Sequence, residues 1–398
     1  GAFSDINNPT DGLPENTRFD VLYSANAIDL VLTADSFAAL TLDFGLSNAG
    51  SAARALDAIR PAFGTNGSGD LNTLMNELYG LDANGLALAL SQLSGQIHAF
   101  ATTETRDGMR RAAGSIIGQA RFAEKHGENL WVDVVGHTLN YAADDVAGAS
   151  ESTGSAVWVG SDLFETSDFT LGFGVGRMQN DVAAGVLGSS STETIAVALY
   201  GYGETRGLQY EAALLRGNSS LSGTRITTLG SGDFTNTFDG EAAATSATAR
   251  IGYTWNLSDG MSLTTWAGGN VTSTKSYAYA ENGSSVTALR VGADTQRSSR
   301  AILSAEVNGG IGHDVNWTFG VGATQDLGAD ETYLSRSISL HGANWDVVGQ
   351  NPGKTQKFVS AGFVSHLDTN WTVRSDIIIS QGDGITQRSA TIGLDYTW

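Results

Sequence analysis

From Asn129 to Trp398, apolar residues recur at every second position, segment after segment. A period of two admits strands and excludes amphipathic helices. The last ten residues, S-A-T-I-G-L-D-Y-T-W, show the pattern most plainly. Ala390, Ile392, Leu394, Tyr396 and Trp398 share one face, while Ser389, Thr391, Gly393, Asp395 and Thr397 share the other. Twelve such segments can be counted, near 129–141, 154–166, 168–180, 191–206, 207–219, 241–257, 260–275, 296–313, 314–327, 354–367, 369–381 and 385–398. The tight turns E-T-S-D (165–168), E-T-R-G (204–207), L-S-D-G (257–260), H-D-V-N (313–316) and L-D-T-N (367–370) alternate with longer polar loops near 142–153, 181–190, 220–240, 276–295 and 328–353. One rim of short turns opposite one rim of long loops is how outer-membrane β-barrels are built, and a soluble sandwich has no reason to alternate this way.

The composition agrees with this architecture. Fifty Gly against four Pro suits many strands joined by polar turns. A mean hydropathy of −0.09 taken alone would suggest a soluble protein, but it is uninformative for a membrane barrel, because lipid-facing and lumen-facing residues cancel in any window. No apolar run approaches the roughly 20 residues of a membrane helix. The net charge of −20 argues against nucleic acid as a partner, since a phosphate backbone needs clustered Lys and Arg. The absence of cysteine excludes disulfides and thiolate chemistry and leaves no cross-link to hinder threading through a pore. The opening G-A-F-S-D-I-N-N-P-T has neither the basic start nor the apolar stretch of a signal peptide, so the chain reads as a mature product or a fragment.

Ahead of the strands the texture changes twice. Residues 1–46 hold short strand-like runs, V-L-Y at 21–23, I-D-L-V-L at 28–32 and L-T-L-D-F at 40–44, expected to be the last rungs of a β-solenoid passenger. Residues 47–127 take helical spacing: Leu56, Ile59 and Phe63, then Leu71, Leu74, Leu78 and Leu81, then Leu86, Leu90, Leu93 and Ile97. The stretch 101–122 is rich in small residues and carries Arg106, Arg110, Arg111 and Arg121. As a helix it would be about 33 Å long, roughly a membrane thickness. Residues 128–398 form the barrel.

Enzymatic motifs do not survive inspection. G-F-G-V-G at 172–176 is alternating strand with no helix start and no Lys-Ser/Thr after it, so small residues facing a crowded lumen explain it better than a nucleotide loop. His98, His126, His137, His313, His341 and His366 lack metal-site spacing. No G-x-S-x-G stands in a strand-to-helix context. The sequence calls for no cofactor and no metal.

The segment L-A-L-A-L-S-Q-L-S-G-Q-I-H-A-F (86–100) resembles the Leu-Ser-Gly-Glu-x-His/Tyr-Ala signature of the autotransporter (type V secretion) translocators, with Gln96 where Glu is usual. G-S-A-V-W-V-G-S-D-L-F-E-T (154–166) and F-T-L-G-F-G-V-G-R (169–177) resemble that family's second and third strands, and I-G-L-D-Y-T-W its assembly signal, although Phe is the commoner last residue. The resemblance implies an all-β fold, a twelve-stranded antiparallel barrel in the outer membrane that exports its own N-terminal passenger. A helix stays in the pore with its N-terminal side outward. The partners it implies are outer-membrane lipid and lipopolysaccharide, the barrel assembly machinery reading Tyr396 and Trp398, periplasmic chaperones and the passenger itself, around a monomer.

With the apolar face outward, Asp133, Asp162, Glu211, Glu306, Asp376 and Asp395 face the lumen near Arg374 and the helix arginines. Two roles are open to them, solvated pore wall or ion pairs with Arg106, Arg110, Arg111 and Arg121 that seat the helix as a plug. Some family members release the passenger through an Asn that cyclises in the barrel. Here 85–128 contains no Asn, and Asp107-Gly108 is the one comparable bond. Two other classes fit parts of the pattern: a surface adhesin or receptor barrel binding ligands through long loops, 328–353 above all, and a soluble β-rich enzyme.

Overall fold

A computed structural model describes residues 13–23, 26–43, 47–61, 69–120, 129–258, 260–312, 314–328 and 335–398. Arg121, His126 and His313 lie outside the described residues. The chain opens with a hairpin, β1 (Thr17–Tyr23) and β2 (Ile28–Ala34). Four short helices follow, α1 (Phe37–Asp43), α2 (Ser47–Ile59), α3 (Gly69–Tyr79) and α4 (Ala83–Leu93), and then the long α5 (Gln96–Ala120). The strands continue with β3 (Asn129–Tyr141), β4 (Ser150–Glu165), β5 (Phe169–Ala183), β6 (Ser189–Thr205), β7 (Leu208–Leu229), β8 (Gly232–Ser258) and β9 (Met261–Ser276). Short β10 (Tyr279–Ala280), β11 (Asn282–Gly283) and β12 (Arg290–Val291) precede β13 (Asp294–Ile311) and β14 (Val315–Asp326). The chain ends with β15 (Ser335–Leu340), β16 (Ala343–Val348), β17 (Thr355–His366), β18 (Trp371–Gly382) and β19 (Ile385–Thr397).

Twelve of these strands close an antiparallel barrel in the order β3 to β9, β13, β14, β17, β18, β19. The last strand returns to the first in a register from Ile385↔Tyr141 to Thr397↔Asn129. Closure leaves no strand edge in lipid, where an unpaired backbone group would cost several kcal/mol. The outward face is apolar and exposed, as at Val134, Val175, Val197, Leu214, Ile251, Phe319, Ile377 and Ile392. Aromatics gather at the short-turn end: Trp371 against Tyr396 with ring centroids 4.6 Å apart, Tyr396 against Trp398 at 5.9 Å and Tyr253 against Trp255 at 5.0 Å. This is the interfacial girdle of a membrane barrel. Inside, Gly172 and Gly176 leave room for the rings of Tyr200 and Trp158, which a Cβ would overlap. The G-F-G-V-G run is therefore packing.

Three expectations change. The loop foreseen at 220–240 is a continuation of the β7–β8 hairpin, whose strands run 22 and 27 residues and stand well above the membrane band. The described parts of the loops at 276–295 and 328–353 are not open. Their strands pair as a separate sheet in the order β10-β12-β15-β16. Residues 40–44 were read as strand, but Phe37–Asp43 is a helix, and the preceding strands form an antiparallel hairpin instead of solenoid rungs. The reason is packing: Phe37 and Leu40, three apart, face the cluster of Leu56, Leu74, Leu78, Leu86, Leu90 and Leu93.

That cluster makes a folded cap. It continues into Ile338, Leu340, Trp345 and Val347 of the loop sheet, so the helices roof the long-loop rim. Asn48 of α2 acts as an extra rung on the edge of β16, donating to the Val348 carbonyl at 2.9 Å and accepting from its N–H at 3.0 Å. The hairpin joins the cap through its polar face. Asp20 takes Arg18, Thr33 and Arg60, and Arg60 lies over the rings of Phe37 and Tyr79 at 4.3 and 4.8 Å. Burial opposes the Asp20 charge, and its hydrogen bonds and the Arg60 guanidinium outweigh burial, holding the carboxyl below the usual range.

Candidate functional site

Helix α5 runs from the cap down the lumen. The spacing of Leu86, Leu90, Leu93 and Ile97 reads as one helix, but the chain breaks between Leu93 and Gln96, where Gly95 takes a φ of +79°. Gly alone adopts this conformation without strain, and here it redirects the chain from the roof into the pore. A Cβ at Gly95 would also press on Leu289 and Ile338 of the loops.

The outer end of α5 is gripped by buried polar groups. His98 is fully buried, with Nε2 2.9 Å from Glu281 and Nδ1 2.9 Å from the Tyr279 hydroxyl, and its ring lies 4.4 Å from that of Phe238. A carboxylate only accepts, so neutral His98 donates through Nε2 and accepts at Nδ1. Glu281 is closed on its other side by Arg225, at 2.9 and 2.5 Å, and by the Leu289 N–H at 2.8 Å. Arg225 also donates to the Gln92 carbonyl at 3.2 Å, on the linker side of the joint. Burial works against the Glu281 charge; Arg225 overrides it and holds the carboxyl down at about 2. Gln92 and Gln96 add clamps, accepting from the N–H groups of Thr228 at 2.8 Å and Gly148 at 3.0 Å. At position 96 an amide oxygen therefore suffices where the signature usually has a carboxylate.

The inner end carries the expected arginines in a different arrangement. Arg106 and Arg110 hold Asp107 of their own helix at 2.7 and 3.0 Å, and Arg111 holds Glu104 at 2.9 Å. Three hydrogen bonds join this set to neutral or hydroxyl groups of the wall: Arg110 to Ser298 at 2.7 Å, Arg111 to Asn180 at 3.3 Å, and the Tyr141 hydroxyl to Asp107 at 3.1 Å. The wall acids go to wall partners. Asp133 pairs with Arg374, which lies 3.7 Å from Asp395. Glu211 and Glu306 flank Arg250 at 2.5 and 3.8 Å, with Arg250 over Trp266 at 4.3 Å. Asp162 accepts from Tyr200 at 2.7 Å, Tyr202 at 3.3 Å and Asn129 at 2.9 Å. Asp376 lines a cavity of about 280 Å³ beside the helix, together with Arg110, His137, Arg300 and Arg374. The helix thus carries counter-charges of its own.

A second cavity of about 940 Å³ opens on the short-turn rim, lined by Glu211, Thr254, Trp266, Glu306 and Trp317. Arg250 stands between the two spaces, lining the upper one while its partners line the lower. The Asp107-Gly108 bond lies within α5, where the Gly108 N–H points along the helix axis at the turn before it, and both Asp107 oxygens are engaged. That geometry opposes cyclisation.

The closed barrel, its apolar outer band and the helix in its lumen define an outer-membrane β-barrel whose pore is occupied by its own upstream helix. The family profile Autotransporter beta-domain matches residues 130–377, more than half of the chain, and the protein belongs to that family. Among solved structures, the translocator domain of the autotransporter NalP from Neisseria meningitidis is similar at a TM-score of 0.64 and 14% identity, over 75% of this chain and 97% of that one. The β-domain of the Bordetella autotransporter BrkA reaches 0.53 at 14% identity, over 68% of this chain and 100% of that one. At such identities the likeness establishes the fold alone. No curated protein matches in sequence.

Proposed function

We propose that this barrel exports its own N-terminal passenger to the cell surface. One observation carries the reading. Strand β3 starts, and β19 ends, at the short-turn rim, whereas the cap and hairpin lie beyond the long-loop rim, joined to β3 through α5. The chain therefore passes through the lumen once, and with the long loops facing outward, everything upstream of Gln96 is outside the cell. Residues 13–43 then represent the C-terminal edge of the passenger, and α5 is the segment left in the pore. Tyr396 and Trp398 serve as the signal for the barrel assembly machinery, after periplasmic chaperones have kept the strands apart.

The adhesin reading has less support, because the loop expected to bind ligand buries Ile338, Leu340 and Val347 under the linker helices. The test is a reporter domain fused ahead of Gly1 behind a secretory signal. Export predicts protease-accessible reporter on intact cells. A reporter left in the periplasm, while the barrel shows heat-modifiable gel mobility, contradicts it.

A further inference from the structure

The outward face of the barrel carries a charge pattern that transport does not require. Where the apolar band ends on the long-loop side, six exposed outward positions are basic, interspersed with the exposed acids Glu151, Asp181 and Glu193. On strands climbing to that rim they are Arg177, two residues past Val175; Arg216, two past Leu214; and Lys275, four past Val271. On strands descending from it they are Arg297, six before Leu303; Lys357, two before Val359; and Arg388, four before Ile392. Three strands run up and three run down, so the placement follows height in the membrane and not position along a strand. The opposite rim is acidic: among the described residues its exposed charges are Asp168, Glu204, Asp314 and Asp368 against Arg206.

The registers group the six into three pairs. Arg297 faces Ser273, two residues from Lys275, which makes them diagonal neighbours about 7–8 Å apart. Arg177 and Arg216 flank β6 opposite Ile195 and Val197, and Lys357 and Arg388 flank β18 opposite Gln381 and Ile379. Each flanking pair is two strand spacings across and two residues along, about 12 Å apart. Among the described residues one carboxylate contacts them, Glu193 at 2.9 Å from Arg177. Arg216 goes to the Thr245 hydroxyl at 2.8 Å, and Lys275 lies 4.9 Å over the Tyr277 ring. Long basic side chains at the edge of an apolar band reach into the headgroup layer, where anionic groups meet them. Phosphate matches guanidinium and ammonium donors well.

We propose that this belt is a docking surface for a phosphorylated glycolipid of the lipid A type, each basic pair holding one phosphate-bearing headgroup of the outer leaflet. The proposal rests on the reading that the long-loop rim faces outward. It is tested with the full chain purified in mild detergent, titrated with diphosphoryl lipid A, with dephosphorylated lipid A and with phosphatidylglycerol, and bound lipid read by native mass spectrometry. The parent should bind the diphosphoryl form at least tenfold more tightly than the other two. Replacing all six residues by Gln should remove that preference, and each pair, such as K275Q with R297Q, should remove part of it. A set that changes only the four arginines to Lys should keep binding within about threefold, which separates lost charge from a damaged barrel. Unchanged binding by the six-fold Gln set overturns the proposal, as does equal affinity for dephosphorylated lipid A or for phosphatidylglycerol. A surface reporter in the same strains tests orientation separately: its retention in the periplasm would defeat the export reading whatever the lipid result.

Discussion

The two ends of α5 are held by different physics. At the outer end His98, Glu281 and Arg225 are dry, fully bonded and surrounded by folded loops, so the helix is seated by residues far away in sequence. At the inner end Arg106, Arg110 and Arg111 pair with Asp107 and Glu104, and a cavity of about 280 Å³ remains beside the helix. The outer end is a joint and the inner end is a filler. On the proposed export reading this division has a use: a segment that carries two acids beside its three arginines offers less charge to the wall acids, and the outer joint fixes its register.

The largest expected effect comes from breaking the joint. Arg225→Met leaves the buried Glu281 carboxylate without its cation, a loss of about 3–5 kcal/mol. Hydrogen exchange over 277–293 and the first turns of α5 should accelerate by roughly two orders of magnitude or more, with β14, β17, β18 and β19 unaffected. Retained protection there would mean that the joint does not seat the helix.

Acid should loosen the same end. Glu281 is held at about 2, below its ordinary 4.5, and a depressed carboxylate contributes stability that is full above the unfolded value and is lost as pH falls through the folded one. Exchange of the strap 277–293 should therefore rise as pH drops from 4.5 toward 2. Asp20, also held low, gives the hairpin the same direction of change. A strap indifferent to pH over that range would contradict the assignment of charge.

A smaller effect is expected in the wall between the ends. Gly176→Val would drive a side chain into the Trp158 ring, at a cost of about 1–3 kcal/mol, lowering the temperature at which gel mobility shifts. The smallest effect on seating belongs to the inner end. Replacing Arg106, Arg110 and Arg111 by Ser, with Asp107→Asn and Glu104→Gln, removes the self-contained set. Protection of the outer end should stay as it is while single-channel conductance rises in planar bilayers. Loss of outer-end protection would erase the distinction between joint and filler.

What was legible in the sequence follows from range. The twelve barrel strands could be counted because the period of two is local and the short turns carry Gly, Asp and Asn. The loop sheet was not, since β10 and β12 are two residues each with no period to read, and their partners β15 and β16 are six each and more than forty residues away. The joint was invisible for a related reason: His98 lies 183 residues from Glu281, and Arg225 lies 56 from it. Nothing local marks such a pairing, although His98 sits inside the signature that named the family. The partners of Arg110 and Arg111 were within reach, because Asp107 is one helical turn from Arg110 and Glu104 is two turns from Arg111.

The central claim is that the chain crosses the lumen once, with the cap outside. The absence of cysteine gives a clean background for testing it. Asn84→Cys places a thiol on the exposed face of the cap, and Thr369→Cys places one on a short turn. A membrane-impermeant maleimide added to intact cells should label the first and reach the second only after the outer membrane is opened. Labelling of the turn in intact cells, with the cap protected, would contradict the account.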